Sequence, residues 1–483
     1  MCSELNTLSS TTLLSDHVVT PNGLLVEHCG GTHTKPQNRE DHTLNSDAPA
    51  TPAEAVEVTD EDFLADFHHT SVYGATEAGG IDRQAGTTDH GAVRAWFRER
   101  AEALGMTVTI DGIGNQYATY EWFPGEPTVL IGSHLDSQPL GGRFDGTYGV
   151  IAALHAAARV NYEVSAGRLD PAHNVTVVDW FNEEGARFAP SIMGSSAMVG
   201  IKDLDEMLAV TDVDGVTVKE ALDSIGCLGT DPAPDVAAYA EVHIEQGRIL
   251  EREQTTIGAV TQSWYTQKLL VAVKGEQSHT GATIMSDRHD ALVAASRIVL
   301  FTEDVVEHFE PEKIVTSVGQ FTVYPNSPIV VPREVDLVID LRASKTQDVL
   351  DARDTLKRQI ADLAAERNIR IDVEDYDIRD IQHYPLDGVE LTEKASADAG
   401  VSCMRIETMA GHDSVAVNRI APSVMVFIPS VDGVSHCERE FTTDADMVAG
   451  VTAFTQITTR LVTGALDDTA PGEPVADVTS ERI

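Results

Sequence analysis

Positive charge is what this sequence has least of: 34 Lys and Arg stand against 77 Asp and Glu in 483 residues, a formal net charge of −43. Lysine is rarer still than arginine, which carries most of the cationic side chains. Such a chain repels phosphate backbones and anionic headgroups, which excludes nucleic acid and acidic membrane surfaces as partners. The acidic residues are spread along the chain, a pattern that fits the solvated surface of a halophilic protein from a salt-rich cytoplasm. Cysteine is sparse as well. Cys2, Cys29, Cys227, Cys403 and Cys437 form no C-x-x-C pair, so neither a disulfide frame nor a zinc–thiolate site is expected. No apolar run reaches the ~18 residues of a membrane span, and no basic segment followed by a long apolar stretch opens the sequence. A cytoplasmic protein is the expectation, and internal repeats are lacking.

What is present suits a large α/β protein, with 42% hydrophobic residues and a length fit for two or three domains. Residues 1–57 are polar and irregular and read as a disordered extension; 467–483 read as a flexible acidic tail. Order should begin near Asp60. Val93, Trp96, Phe97, Ala101 and Leu104 share one helical face within 88–106. From 88 to 250 apolar strands alternate with helical segments, which predicts a mixed sheet with helices on both faces. From Ile257 the texture changes. Val260 to Val273 is strand-like, 287–308 is an amphipathic helix, and strands over 313–325 and 333–343 follow. The helix 346–367 and a strand ending near 378 complete a β-α-β-β-α-β order, which is ferredoxin-like. This places a small inserted domain at 261–380 between two parts of a larger one, 58–260 and 381–466.

The chemistry-bearing residues gather where strands end. Thr128 to Ile131 is a short buried run, and His134 follows at its tip. Asp136, two residues on, points the same way in an extended chain and is placed to hold one imidazole nitrogen while the other binds a metal. Asp145 and Gly146 then open an apolar helix containing Val150, Ile151 and Leu154. A second apolar run, Val175 to Val178, ends in the adjacent carboxylates Glu183 and Glu184. Such a pair is costly past a buried strand unless positive charge lies between. In EVHIEQG, His243 and Glu245 point opposite to Val242 and Ile244. His436 lies in the loop after a last buried strand, 423–430. His134, Asp145, Glu184, His243 and His436 are thus five candidate ligands at the tips where open α/β sheets place their sites. Imidazole and carboxylate suit Zn²⁺, Mn²⁺, Ni²⁺ or Co²⁺, and a pair of such ions leaves Glu183 free as general base.

The segments GSHLDSQPLGGRFDG, DWFNEEGARFAPSIMGS, HIEQG, AGHDS and IPSVDGVSHCERE resemble the hydantoinase/carbamoylase branch of the M20 metallopeptidase-like amidohydrolases, over about residues 60–465. That resemblance implies a zinc-peptidase-like catalytic domain with an inserted ferredoxin-like lid and dimerisation domain. It implies two divalent ions per subunit, one on His134, Asp145 and His243, the other on Asp145, Glu184 and His436. Glu183 would be the general acid/base and Asp136 the residue that orients His134. Gln246, His279 and Arg342 would meet the substrate, His279 at the oxyanion and Arg342 at the carboxylate. Two stretches depart from the family pattern: Ile329 stands where a substrate-contacting asparagine is usual, and Ala282-Thr-Ile-Met285 replaces T-T-P-M. Without the resemblance, Arg342 could equally pair with a neighbouring acid. His412 reads as a helix-start residue, and Cys437, one past a ligand, as pointing away from the metals.

The implied function is hydrolysis of a linear carbamoyl or ureido C–N bond, foremost that of an N-carbamoyl-L-amino acid. Allantoate amidohydrolase and β-ureidopropionase are the alternatives within the branch. An aminoacylase, a dipeptidase or a non-catalytic binding protein is more remote. A cytoplasmic homodimer formed through the lid is expected. With so much like charge, self-repulsion is strong in dilute buffer. Salt shortens its reach from about 10 Å at 0.1 M to about 3 Å at 1 M. The melting temperature, followed by calorimetry, should therefore rise between about 0.1 and 2 M KCl; a flat or falling trend would rule out the salt-rich origin.

Overall fold

A strand covered on both faces needs an apolar side chain at nearly every position, and four segments of this chain meet that requirement. They form the centre of the larger of its two main sheets. The computed structural model describes residues 55–472; the expectations for an N-terminal extension and for most of the acidic tail fall outside these. In chain order the strands are β1 (Thr107–Ile110), β2 (Gln116–Tyr120), β3 (Thr128–His134), β4 (Asn174–Trp180), β5 (Val236–Ile244), β6 (Ile257–Ser263), β7 (Tyr265–Lys274), β8 (Ser278–His279), β9 (Ile314–Tyr324), β10 (Val330–Val331), β11 (Glu334–Ala343), β12 (Arg370–Arg379), β13 (Cys403–Thr408) and β14 (Ser423–Ile428). The main sheet has the order β1-β2-β4-β3-β5-β14-β6-β13. Its central strands β4, β3, β5 and β14 run parallel, so their C-terminal ends share one edge. Every residue of β3, β4 and β14 is buried.

Helices cover both faces. On one, Phe63, Val150, Leu154, Phe454 and Ile457 pack with Val129, Ile131 and Val426 in the largest apolar core. The helices Thr147–Ser165 and Asp444–Val462 supply much of it. Burying such side chains contributes roughly 1.5–3 kcal/mol each, which fixes the sheet and leaves its polar tips little freedom. Among the described residues no helix is long and apolar enough to cross a membrane.

The second sheet has the order β12-β7-β11-β9, antiparallel throughout. With the helices Ala291–Asp304 and Thr346–Arg367 its connectivity is the ferredoxin-like one. In β11 the buried residues Val335, Leu337, Ile339, Leu341 and Ala343 alternate with more exposed ones, the period of a sheet covered on one face only. A separate two-residue ribbon pairs β8 with β10.

Three details differ from the sequence pattern. The strand-like run Val260–Val273 is two strands: β6 belongs to the main sheet, beside β13 and β14, and β7 to the second. Only Trp264 separates them, and no Gly or Pro marks the change of sheet. The helix expected over 287–308 begins at Ala291, where Asp290 accepts from Val293 N, and ends as a 3-10 turn, Val305–His308. Residues 193–224 hold three short helices that pattern alone does not reveal; they pack Met193, Val218 and Leu222 around Phe181 and Phe188. The chain leaves the second sheet beside its point of entry, since Ser263 N donates to Gln382 O at 2.9 Å and Gln382 N to Ser263 Oγ at 3.0 Å.

Candidate metal centre and active site

The shared edge of the parallel strands brings all five candidate ligands together. His134 ends β3 and His243 lies one residue from the end of β5. Glu183 and Glu184 sit on the loop after β4, and His436 on the loop after β14. Asp145 precedes the helix Thr147–Ser165. Two triads result, His134–Asp145–His243 and Asp145–Glu184–His436, each with ligand atoms within 4.8 Å of one another. His243 Nε2 is 3.0 Å and His134 Nε2 3.5 Å from Asp145 Oδ1. His436 Nε2 is 3.3 Å from Asp145 Oδ2 and 3.5 Å from Glu184 Oε2. Glu183 belongs to neither triad; its Oε2 stands 3.6 Å from His134 Nε2. Gly146 shows how close the packing is: a Cβ there, at φ +63°, would lie 2.4 Å from the His134 ring.

The protonation pattern fits divalent ions. His243 Nδ1 faces Ile244 O at 2.9 Å and His134 Nδ1 faces Asp136 O at 3.0 Å, so in both rings Nδ1 is the donor. That leaves the Nε2 atoms facing carboxylate oxygens, positions that a proton or a divalent ion between them would satisfy. Burial raises the carboxyls of Glu183 and Glu184, and each is raised further by neighbouring carboxylates. Burial opposes charge on His134 too, yet Glu183, Asp136 and Asp145 hold its imidazole well above the usual range. Asp145 is the opposite case: despite burial, His243, His134 and His436 hold its carboxyl well below the usual range. A buried set this rich in negative charge is stabilised by positive ions among its members.

Asp136 serves two loops. Its main-chain carbonyl is the nearer acceptor for His134, with Oδ1 at 3.5 Å. Its carboxylate accepts from Glu183 N at 3.2 Å and Glu184 N at 3.3 Å, which sets the turn carrying both acids. Gln246 Nε2 donates to Asp145 Oδ2 at 2.6 Å and to Ser435 Oγ at 3.1 Å, so it touches the shared carboxylate itself. His412 stands at the N-cap position of the helix Asp413–Val417 without a capping side-chain bond, its ring 4.7 Å from that of His243. Neither triad includes His412 or Cys437.

The second sheet meets this site across a cavity of about 290 Å³, bordered by Glu183, His243, Gln246 and His436 on one side and Lys268, Arg342 and Arg379 on the other. Arg342 is held by Asp340 through Nε (3.0 Å) and Nη2 (2.9 Å), and its Nη1 donates to Met409 O at 3.1 Å. The pairing with a neighbouring acid and a place at the cavity therefore coexist. His279 does not border the cavity. It is exposed on the β8–β10 ribbon, where its Nδ1 accepts from Gly281 N (3.0 Å) and Ala282 N (3.1 Å). Ile329 is 69% exposed on the same ribbon.

Several supporting residues escape sequence reasoning. Glu440, inside the SHCERE stretch, accepts through Oε1 from Phe144 N (2.9 Å) and Asp145 N (3.0 Å). Burial, then Asp145, pushes its carboxyl up to about 7. Gln138 donates through Nε2 to Glu184 Oε2 at 2.9 Å. Arg83 is fully buried with no carboxylate in direct contact. It donates through Nε to Leu135 O (2.7 Å), through Nη1 to Thr70 O (2.8 Å) and through Nη2 to Thr147 Oγ1, and so ties the His134–Asp136 loop to the helix start beside Asp145. Arg83→Met should leave the buried Leu135 carbonyl without a donor, at about 1–3 kcal/mol, while Thr70 O keeps the bond from Tyr73 N. It should weaken divalent-ion retention about 10–100-fold, as loss of a group behind metal ligands does. Ion content after dialysis, read beside the melting temperature, checks this; full retention with a lowered melting temperature would leave Arg83 a purely structural role.

Comparison with known proteins agrees with this geometry. Residues 130–460 match the model of peptidase family M20/M25/M40. A putative hydrolase of Mycolicibacterium smegmatis is 46% identical over 86% of this chain and 96% of its own length. An N-carbamoyl-L-amino-acid amidohydrolase of Paenarthrobacter aurescens is 34% identical over 78% of this chain and 92% of its own. Among solved structures, an amidase of the hydantoinase/carbamoylase family from Burkholderia vietnamiensis superposes with a TM-score of 0.80 at 33% identity, covering 86% of this chain and 100% of that one. With a family model spanning most of its length and amidase relatives aligned nearly end to end, the chain belongs to peptidase family M20/M25/M40, among its hydantoinase/carbamoylase members.

Proposed function

We propose that this protein hydrolyses the C–N bond of an N-carbamoyl-L-amino acid, releasing the amino acid, CO2 and ammonia. The observation that carries the reading is the pair of triads sharing Asp145, with Glu183 left outside both and facing the same cavity. His134, Asp145 and His243 would hold one divalent ion, and Asp145, Glu184 and His436 the other; Zn²⁺, Mn²⁺, Ni²⁺ and Co²⁺ all suit such ligands. Ions held there supply Lewis acidity towards a carbonyl oxygen and towards water. Glu183 takes a proton from the attacking water and returns one to the leaving nitrogen as the C–N bond breaks. Asp136 keeps Glu183 and His134 in register through the contacts described above.

Substrate binding falls to Gln246 and Arg342. The Arg342 fork is fixed by Asp340 before a carboxylate arrives, which lowers the entropy lost on binding. His279 is the oxyanion donor in this reading, and its exposed position means that the ribbon must approach the cavity for the reaction. We assign that movement to the inserted region 261–380, hinged near Ile257–Gln262 and 376–385 where the chain crosses between sheets. Pairing of two copies through the same region would give a homodimer.

Glu183→Gln keeps every proposed ligand but cannot accept a proton. It should retain its ions by elemental analysis while kcat falls at least ~10²-fold; undiminished turnover would remove Glu183 from the mechanism. Arg342→Ala should act mainly on KM, since a carboxylate is bound in ground and transition states alike. His279→Ala should act mainly on kcat, by ~10²–10³-fold, the usual cost of one oxyanion donor. Steady-state kinetics on N-carbamoyl amino acids separates the two. An unchanged KM for Arg342→Ala would mean that no substrate carboxylate lies there.

A further inference from the structure

Three cations border one small cavity in a protein that has few, and the reaction above uses only Arg342. The register of the second sheet explains how the other two arrive. Thr266 on β7 pairs with Arg342 on β11 and with Arg379 on β12. Directly paired residues project from the same face, so Arg379, Thr266 and Arg342 form one row across three strands. Lys268, two residues along β7, projects from that face as well. The apolar residues of β11 and β7 turn the other way, into the core shared with the two helices.

The aspartates on this face act as anchors. Asp377 accepts from Arg379 Nε (3.0 Å), Arg379 Nη2 (2.9 Å) and Lys268 Nζ (2.9 Å). Burial works against its charge, yet Arg379 and Lys268 hold its carboxyl down to about 2. Arg379 Nη2 also donates to Ser191 Oγ at 3.0 Å, reaching the segment that follows Glu184. Lys268 Nζ thus makes one hydrogen bond out of three, and Arg379 Nη1 makes none among the described residues. Asp380 borders the cavity too, and its field also reaches Tyr265. The row is built to fix two cations with donors to spare, on the wall facing the metal ligands.

We propose that Lys268 and Arg379 form a subsite for an anionic side group, so that the preferred N-carbamoyl amino acid carries a second carboxylate besides the one met by Arg342. This rests on the carbamoyl-hydrolase reading. A cavity of about 290 Å³ has room for a compact dicarboxylate of this kind. Partly buried cations discriminate well between a carboxylate and its uncharged isostere, because charge-assisted hydrogen bonds are roughly twice as strong as neutral ones.

The test compares N-carbamoyl-L-glutamate with N-carbamoyl-L-glutamine, which share a shape and differ in charge, on the ion-loaded full chain. The acid should have a kcat/KM at least tenfold higher. Lys268→Met should abolish that preference while leaving the amide within about twofold of its original value. Asp380→Asn should widen the preference. A second arm measures binding of both compounds to ion-loaded Glu183→Gln by calorimetry, where the acid should again bind at least tenfold tighter. Hydrolysis of both at equal rates, or an equal loss for both in Lys268→Met, would overturn the subsite and leave the carbamoyl-hydrolase reading standing. Tighter binding of the acid with no turnover by the unaltered enzyme would support the subsite and overturn the reaction. Binding of neither compound would overturn both.

Discussion

The shared carboxylate of Asp145 is the constraint on which the rest of the structure depends. It is buried, it faces three imidazoles, and its own backbone is held by Glu440 from the far end of the sequence. Three carboxylates in one cleft repel each other strongly when water is removed, so the arrangement persists only where positive charge is interleaved and the scaffold is rigid. The parallel centre of the main sheet provides that rigidity. Three of its four strands, β3, β4 and β14, are buried along their whole length, and the strand tips present the polar groups at one edge. The chemistry is therefore placed by the apolar core and not by the flexibility of the loops that carry it.

The surface proposed for recognition is arranged on a different principle. The second sheet has one face in its own apolar core and one face free of helices, and the free face brings Arg342, Lys268 and Arg379 to the cavity. Each cation is braced by an aspartate two or more residues away on the same or a neighbouring strand. In a chain so poor in positive charge, this wall gathers three cations, together with Asp340, Asp377 and Asp380, opposite the acidic floor.

That the candidate ligands gather at one edge of the sheet was legible in the sequence, because several of them follow a recognisable signal. A short run of apolar residues names a buried strand, and a polar residue just beyond it marks the tip; His134, Glu184 and His436 all stand in that relation. The helix Thr346–Arg367 is legible at both ends for a similar reason, its apolar period stopping at Asn368, which takes the left-handed conformation at φ 51°. Sheet membership was not legible. The residues of β6 and β7 have one texture, and only the partners they find in space separate them. Arg83 was hidden because its acceptors are main-chain carbonyls, which leave no trace in a pattern of side chains. Lys268 and Arg379 were hidden because their common face depends on pairing register between strands a hundred residues apart.

The point at which the chain leaves and re-enters the main sheet has a consequence for how such a protein can be varied. Ser263 and Gln382 are hydrogen-bonded to each other, so the whole second sheet hangs from two adjacent residues like a cassette. Loop-closure entropy depends only weakly on the length enclosed, and the junction already holds its two ends together. A different module of the same span could be seated there without disturbing the two triads of the main sheet, so the wall that faces them can be varied apart from the triads themselves.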